Sequence, residues 1–470
     1  MRTYIFYNYY ETDSLNFGRY GTVKVDKEIL KTTLKKHYSL LGILFGSVLV
    51  SISLGPYYNW DSLLEYEAAS GVIKWGFPYI SPGNLINQPP LGYYIDAFFF
   101  EIFGLSYETG VCVITLFGLG CVFLVYEIGT IFYGKRTGLV AAALFGLTPW
   151  HVVMSRVFLI DTQCLFFSLL CLLVGIWAIQ KGSLKILFVS GILFGLSLLT
   201  KAFGVYILIP LSLIYIYWRP KDLERVLEGI VLFFLPAFIL HYLWYEIISG
   251  QGVFIIFHHS DFAHYFPEEI VPSCFFILHY FIENVGALFL GACILSLLLS
   301  LSQRKLFAKV LFSDLVCLVT IICIAGLNTF LVLGRSLWVP YVNPIKYAYQ
   351  SLPSFCWLAA SLIGKCCLLP GRENFKSKQH RLIFSIAVVG LFLLVASMVM
   401  NMKILNIFSR WGYFLFKVEG EVGYSFEKLS PIIGANYTGV IQGLAFVSIV
   451  LSLFWFNLDK LKSLCAYLTA

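Results

Sequence analysis

The sequence has little charge, and this absence already limits what kind of protein it can be. Only 13% of its 470 residues are charged, whereas 59% are hydrophobic. A water-soluble globular domain carries about 25% charged residues, so that class is excluded. Hydrophobic runs of about twenty residues recur along the chain, the length that a helix needs to cross a bilayer. These runs leave no room for a large soluble domain.

Other familiar features are also missing. None of the twelve cysteines forms a CxxC pair, and most lie inside hydrophobic runs. They therefore indicate small buried side chains, not a disulfide framework or a zinc site. No cleavable signal peptide is visible before the first hydrophobic run, which starts at Ser39, and we expect that run to be a retained anchor. No internal repeat is apparent, which disfavours a transporter built from inverted halves.

The hydrophobic runs predict an all-α polytopic membrane protein with about twelve spans. The expected spans are 39–56, 108–133, 138–154, 157–180, 184–200, 203–218, 226–248, 274–301, 311–333, 347–364, 383–400 and 435–457. A further apolar stretch, Pro89–Phe103, is too short to span and is expected to be an interfacial helix that starts at its proline pair.

Lysine and arginine predict the orientation of this bundle. With the N-terminus inside, every inner segment carries at least two of these residues, whereas the outer loop 249–273 has none. This bias is the positive-inside rule, so the net charge of +7 reports topology and not a nucleic-acid partner. We expect a multi-pass protein of the cell membrane with both termini in the cytoplasm.

The predicted topology divides the chain into three parts. We expect residues 1–38 to be a cytoplasmic tail, residues 39–457 to form the membrane module, and residues 458–470 to be a second cytoplasmic tail. Three long loops face outward, and loops of this length are often functional. They cover 57–107, 249–273 and 401–434.

The first outer loop opens with Asp61, Glu65 and Glu67. On a helix Asp61 and Glu65 share one face, while Glu67 points elsewhere. A carboxylate just outside a membrane can accept the proton of an attacking hydroxyl. The alternative is structural, because acidic residues also stabilise the first turn of a helix.

Basic residues occur at several outer ends of spans. Arg156 precedes Asp161 by five residues, and Lys201 and Lys346 follow or precede other spans. Arginine suits a phosphate because its guanidinium donates two parallel hydrogen bonds. The alternatives are an ion pair between Arg156 and Asp161, and ordinary snorkelling of the lysines to the interface.

The second long loop contains His258, His259 and Asp261. A helix through this segment would bring some of these groups to one face, which a divalent metal would tolerate. Contacts to an acceptor, a lid role or simple solvation are the alternatives. The need for a metal cofactor stays open.

Four short motifs carry a resemblance to a known family. They are Asp61 with Tyr66-Glu67-Ala68, NQPPLGYYI at 87–95, SRVFLID at 155–161 and KYAYQSLP at 346–353. In this order and at these loop positions they resemble the GT-C superfamily of polytopic glycosyltransferases. The branch with protein O-mannosyltransferases and aminoarabinose transferases is the most similar.

The resemblance implies a GT-C helix bundle and an inverting sugar transfer outside the membrane. The donor would be a polyprenyl-phosphate sugar, such as dolichyl phosphate mannose, and the acceptor a lipid, glycan or protein. Asp61 would be the general base, with Glu67 as a second acid. The donor phosphate would be bound by Arg156, Asp161, Lys201 and Lys346. The acceptor or a lid would involve Gln88, His258, His259 and Asp261.

Two departures from the family pattern keep alternatives open. Ser62 follows Asp61 where the family has a second acid, so Glu65 or Glu67 would have to replace it. Gln88 precedes the proline pair where the family often has a lysine. A catalytically silent partner subunit and a transporter of lipid or sugar are the alternative functions.

Overall fold

A computed structural model describes a large part of the membrane module. The described residues are 38–49, 51, 56, 60–86, 88–218, 223–251, 287–302, 304–333 and 348–367. Contacts between residues divide the chain into two compact units, Met1–Tyr38 and Ser39–Ala470. The elements described below belong to the second unit, except that the first helix begins one residue earlier, at Tyr38. The predicted loop residues His258, His259 and Asp261, the lysine Lys346 and the last two predicted spans lie outside the described residues.

Helices dominate the described residues. In chain order they are α1 (Tyr38–Leu49), α2 (Trp60–Trp75), α3 (Leu91–Phe103), α4 (Tyr107–Tyr133), α5 (Lys135–Leu147), α6 (Pro149–Met154), α7 (Asp161–Lys181), α8 (Leu184–Thr200), α9 (Leu208–Trp218), α10 (Leu223–Tyr242), α11 (Ala287–Ser302), α12 (Arg304–Leu333) and α13 (Leu352–Cys367). Short 3₁₀ turns cover Ala202–Ile207 and Tyr349–Ser351, and a π turn covers Leu243–Ile248.

Several helices are apolar enough to lie in a membrane. Within the described residues, α4, α7 and the continuous segment Leu223–Ile248 are also long enough to cross it. Shorter apolar helices are Tyr38–Leu49, Leu184–Thr200, Ala202–Tyr217, Phe289–Ser302 and Val310–Gly326. Predicted spans 108–133 and 184–200 therefore agree with the helices to within a residue.

Two predicted spans were wrong in detail. The helix expected over 138–154 is interrupted, because α5 ends at Leu147 and α6 starts at Pro149. Thr148 between them is extended (φ −61°, ψ 125°), the conformation that a following proline favours. The span expected to start at 157 starts at Asp161, so residues 155–160 form a bend between α6 and α7.

The described part of the predicted first outer loop, 57–107, folds into α2, a small hairpin and α3. Strands β1 (Tyr79–Ser81) and β2 (Asn84–Leu85) pair antiparallel, a sheet that the all-α prediction did not include. Gly83 in their turn has a positive φ of 77°, which glycine adopts without strain. The expected interfacial helix at the proline pair is present as α3, and its exposed Phe98, Ile102 and Phe103 suit a membrane surface.

An aromatic cluster fixes this loop to the membrane helices. Phe158, in the bend before α7, stacks on Phe100 of α3 at 6.0 Å and meets Tyr66 of α2 edge-on at 5.9 Å. The hydroxyl of Tyr107 at the start of α4 donates to Ser62 on α2. Hydrophobic burial and these ring contacts thus bring α2, α3, α4 and the bend together.

Glycines let neighbouring helices approach closely. A Cβ on Gly138 of α5 would lie 2.7 Å from the Tyr126 carbonyl oxygen of α4, and a Cβ on Gly195 of α8 would lie 2.8 Å from Ala237 of α10. Membrane helices pack through small residues for this reason, since the surrounding lipid provides little hydrophobic driving force.

A buried ion pair joins α11, α12 and α13. Lys365 Nζ lies 2.7 Å from Asp314 Oδ2, and both side chains are inaccessible to solvent. Lys365 also donates to the Ser296 carbonyl oxygen at 2.7 Å, and Ser361 donates to Asp314 Oδ1 at 3.1 Å. A buried charge pair is tolerated when hydrogen bonds satisfy its remaining donors and acceptors, as they do here.

We expect Lys365→Met to lower the free energy of unfolding by about 3–5 kcal/mol, because it leaves Asp314 as an unpaired buried charge. Thermal unfolding in detergent measures the loss. The double variant Lys365→Met/Asp314→Leu should recover most of it, since no buried charge remains. Lys74→Met, at an exposed position of α2, is the control. Equal effects of Lys365→Met and Lys74→Met would contradict the expectation.

Candidate functional site

The start of α7 is the meeting point of a buried ion cluster. Lys201 Nζ lies 2.6 Å from Asp161 Oδ2 and 3.9 Å from Glu65 Oε1. The three residues are 3%, 2% and 3% exposed, respectively. They come from the end of α8, the first turn of α7 and the middle of α2. The site therefore depends on the packing of the first outer loop against two membrane helices.

The N-terminus of α7 stabilises the negative charges of Glu65 and Asp161. The backbone N–H of Ile160, the residue before α7, donates to Glu65 Oε2 at 2.8 Å. Asp161 lies in the first turn. Carboxylates are stabilised at this end because the first N–H groups of a helix lack partners and the helix dipole is positive there. Two carboxylates and one ammonium can thus share a buried site.

Asp61 lies one turn before Glu65, in the first turn of α2, and is partly exposed. The pKa of Tyr93 is raised well above its ordinary value. The largest cause is burial, followed by the negative charges of Glu65, Asp161, Asp96 and Asp61. Four carboxyl groups therefore act electrostatically on this tyrosine. Asp61 is the partly exposed one of them, so it is the acid most accessible from solvent.

Glu67, expected as the second acid, lies on the exposed side of α2. Two residues on a helix correspond to a rotation of about 200°, so Glu67 points away when Glu65 points inward. Glu65 is the acid that joins the cluster. The sequence had left the choice between Glu65 and Glu67 open, and only packing distinguishes the two positions.

Arg156 lies in the bend between α6 and α7. Its Nη1 donates to Thr115 Oγ1 on α4 at 3.2 Å, and Thr115 Oγ1 donates in turn to the Ser155 carbonyl oxygen at 2.8 Å. The side chain is 8% exposed. Asp161 pairs with Lys201 and not with Arg156, which corrects the ion pair considered as the structural alternative.

The motif at 346–353 also reaches this region. Tyr349 OH lies 2.6 Å from His151 Nδ1, and His151 Nε2 lies 3.4 Å from Ser155 Oγ, next to Arg156. Gln350 Nε2 donates to Cys164 Sγ at 3.5 Å. The described part of the motif thus contacts α6, just before the bend, and α7. Its lysine, Lys346, lies outside the described residues.

Two residues that the sequence did not single out complete the buried site. Gln163 Nε2 on α7 donates to Asp96 Oδ1 on α3 at 2.8 Å, and neither side chain is exposed. An aspartate inside the hydrophobic stretch LGYYIDAFFFEIF was the available signal for Asp96. Gln163 gave no signal, because a polar residue near a span end is common. Gln88 is half-buried just before α3.

The described acids do not fit a metal ion. No group of three or more His, Cys, Asp or Glu side chains among the described residues is arranged to hold one. Lys201 already supplies positive charge between Asp161 and Glu65.

Removal of Lys201 should destabilise the protein strongly. Lys201→Met would leave Asp161 and Glu65 as buried like charges, and we expect a loss of about 3–5 kcal/mol in the free energy of unfolding. Thermal unfolding in detergent measures it. Lys185→Met, at an exposed position of α8, should change the unfolding temperature little. If both variants unfold at the same temperature, the ion cluster does not stabilise the fold.

Part of the chain is similar in sequence to known proteins. Residues 87–244 match the family described as dolichyl-phosphate-mannose-protein mannosyltransferase. Two proteins of Bacillus subtilis (strain 168), the proposed mannosyltransferases YkcB and YycA, are each 28% identical over 130 and 196 residues. These matches cover 28% and 39% of this chain but 18% and 29% of the two proteins, so the chain aligns with less than a third of either relative.

A solved structure shares the fold over most of the chain. The apo structure of ArnT from Cupriavidus metallidurans has a TM-score of 0.54 and covers 89% of this chain and 76% of that one, at 15% identity. The same protein bound to undecaprenyl phosphate gives a TM-score of 0.51, covering 88% and 76% of the two chains at 15% identity. With the apolar helices and the family match, this likeness identifies the chain as a polytopic membrane protein with the GT-C fold that its motifs predicted.

Proposed function

We propose that this protein is a glycosyltransferase that moves a sugar from a polyprenyl-phosphate donor to an acceptor hydroxyl on the extracytoplasmic face, with inversion. The observation that carries the proposal is the cluster of Glu65, Asp161 and Lys201 at the start of α7. Asp61 lies one turn away on α2, and Arg156 lies in the bend that leads into α7. Acid–base groups and cations lie together where the first loop packs against apolar helices. A donor with a lipid tail and a phosphate needs both environments.

The family match and the shared fold support the lipid donor. The matched residues 87–244 include α3, the bend with Arg156, α7 and Lys201. The ArnT structure that shares this fold has been solved with undecaprenyl phosphate. We therefore place the phosphate of such a donor near the start of α7. Its hydrocarbon chain would remain among the apolar helices.

Asp61 is the general base in this proposal. It is on the same face of α2 as Glu65, which is fixed by Lys201 and Ile160. A base must reach the acceptor hydroxyl, and Asp61 is partly exposed whereas Glu65 and Asp161 are buried. As the acceptor oxygen attacks the sugar carbon, its proton passes to Asp61 and the bond to the phosphate breaks.

Cations stabilise the leaving phosphate. Arg156, which lies in the bend, donates a hydrogen bond to Thr115 on α4. Lys346, from the motif at 346–353, would be a second cation for the phosphate. Lys201 is bound by two carboxylates, so we assign it to ordering the acids and not to the phosphate. A fixed guanidinium in a site shielded from water stabilises developing negative charge more than the same group in solvent.

Inversion follows if one displacement completes the transfer. Asp61 would act as a base and not as a nucleophile, so no covalent sugar–enzyme intermediate would form and the configuration at the sugar carbon would invert once. The acceptor is a lipid, a glycan or a protein, since each of these can present a hydroxyl group.

Asp61→Asn should reduce transfer from a polyprenyl-phosphate sugar by about 10²–10⁴-fold, because asparagine keeps the size of the side chain but cannot accept the proton. The measurement is sugar transfer by purified protein, together with donor binding, which should stay near the wild-type value. Glu67→Gln is the matched control, an acid-to-amide change on the exposed side of the same helix.

A contrary result would remove Asp61 from the mechanism. If Asp61 only stabilises the first turn of α2, its replacement should cost about 1 kcal/mol of stability and leave transfer intact. If the wild type transfers no sugar from any polyprenyl-phosphate donor, the catalytically silent partner subunit becomes the better assignment.

Arg156→Ala should weaken both donor binding and turnover, because it removes a contact to the phosphate in the bound donor and in the transition state. Titration of the donor and steady-state kinetics separate the two effects. Arg225→Ala is a control, since Arg225 lies at the start of α10 and donates to the Gly182 carbonyl oxygen at the other end of α7. Unchanged donor binding in Arg156→Ala would contradict the phosphate assignment.

Topology can be tested at the two ends of α7, which its 21 residues separate by about 30 Å. Ser81 lies in the first-loop hairpin and Lys185 near the end opposite to Asp161, and both are exposed. In intact cells, a polar maleimide that cannot cross the membrane should label Ser81→Cys and not Lys185→Cys, above the wild-type background. The reverse pattern would place the site in the cytoplasm.

A further inference from the structure

Asp96 and Gln163 form a buried contact that is satisfied on one side only. Gln163 Nε2 donates to Asp96 Oδ1 at 2.8 Å. The other two oxygen atoms of the pair, Asp96 Oδ2 and Gln163 Oε1, are both buried and have no hydrogen-bond partner among the described residues. An ionised carboxylate and an amide carbonyl are both acceptors, so these two atoms cannot bond to each other as long as Asp96 is charged.

A single proton would satisfy both oxygens. If Oδ2 carries the proton, it becomes a donor, and the amide carbonyl of Gln163, whose N–H₂ already bonds to the other carboxyl oxygen, can accept from it. We propose that Asp96 is protonated in the folded protein and that Asp96 and Gln163 make a neutral acid–amide pair with two hydrogen bonds. This pair fixes α3 of the first outer loop against the first turn of α7.

The surrounding charges favour the neutral form. Glu65 on α2 acts electrostatically on Asp96 itself. Asp61 on α2 and Asp161 on α7 act on the uncharged Tyr93, which lies one turn before Asp96 on α3. The positive charge of Lys201, at the end of α8, is next to Asp161 and Glu65. The nearby cluster already contains two buried acids, Glu65 and Asp161, and a single lysine, Lys201. A negative charge on Asp96 would therefore add to an excess of acids. Burial, and to a smaller extent Glu65, raises the pKa of Asp96 well above its ordinary value, although the bond from Gln163 opposes this shift.

Packing supports an internal pair over a ligand site. Gly92 lies one turn before Asp96 on α3, and a Cβ at this position would come within 2.6 Å of Gln163 Oε1 and closer still to Ile160. The backbone of α3 is therefore pressed against Gln163, which leaves little room for a sugar or an ion. The pair acts as a positioning element, because it holds α3 next to the residues of the ion cluster.

Asp96→Asn tests the proposal directly. Asparagine reproduces the protonated carboxyl, since its N–H₂ can donate to Gln163 Oε1 while its carbonyl accepts from Gln163 Nε2. The readouts are the unfolding temperature as a function of pH and the infrared carbonyl band of protonated carboxyl groups at neutral pH. Neither readout uses a sugar donor, so the outcome is independent of the proposed transfer reaction.

The sign of the pH effect follows from linkage. In the unfolded chain Asp96 loses its proton near its ordinary pKa, whereas the folded protein keeps the proton to higher pH. The contribution of Asp96 is therefore fully present at low pH and is lost as pH rises towards the raised pKa. Between about pH 5 and about pH 8 the unfolding temperature of wild type should fall by a few degrees relative to Asp96→Asn.

The infrared difference between wild type and Asp96→Asn at neutral pH should contain one protonated carboxyl band. Glu101→Gln is the matched control, because Glu101 is an exposed acid on the same helix; it should give no such band and a pH-independent difference. Gln163→Leu should destabilise the protein, since it removes both hydrogen bonds.

Three results would overturn the proposal. They are a missing carboxyl band, a temperature difference that does not change with pH, and failure of Asp96→Asn to fold where Glu101→Gln folds. Each would mean that Asp96 is ionised in the native protein.

Discussion

The contact of Lys201 with Asp161 and Glu65 is the interaction on which the site depends. Each member comes from a different helix, and all three are withdrawn from water. Buried charges are costly unless they are paired and hydrogen-bonded, so this cluster forms only when α2, α7 and α8 are all in place. The first outer loop is thereby joined to the membrane bundle by charge as well as by aromatic packing. Asp61 and Arg156 owe their positions to this junction, since one lies a turn from Glu65 and the other in the bend before Asp161.

A site with several acids and few cations has to limit its charge. The described structure does so by three means: the ammonium of Lys201, the N-terminal N–H groups of α7, and the environment of Asp96. Asp61 differs from the other acids because it keeps contact with solvent. In the proposed reaction this least buried acid of the site accepts the proton of the acceptor, whereas the buried acids hold the structure around it.

The same physical logic recurs at Asp314 and Lys365. There the pair is enclosed by serines of α11 and α13. Both clusters connect three helices through one lysine. In a bundle whose helices are surrounded by lipid, polar contacts of this kind specify which helices are neighbours, a task that uniform hydrophobic burial performs poorly.

The sequence by itself determined the class of protein, the positions of several spans and the neighbourhood of the site. Hydrophobic run length reports directly on membrane crossing, and the motifs around Asp61, Arg156 and Asp161 lie at the ends of such runs. Only the tertiary structure decided that Glu65 and not Glu67 turns inward, that Lys201 binds acids, and that Asp96 meets Gln163. Periodicity gives the face of a single helix, but it does not say which other helix covers that face. Partner choice between residues 40 to 140 positions apart depends on how whole helices pack, and that information is not present in any local stretch of sequence.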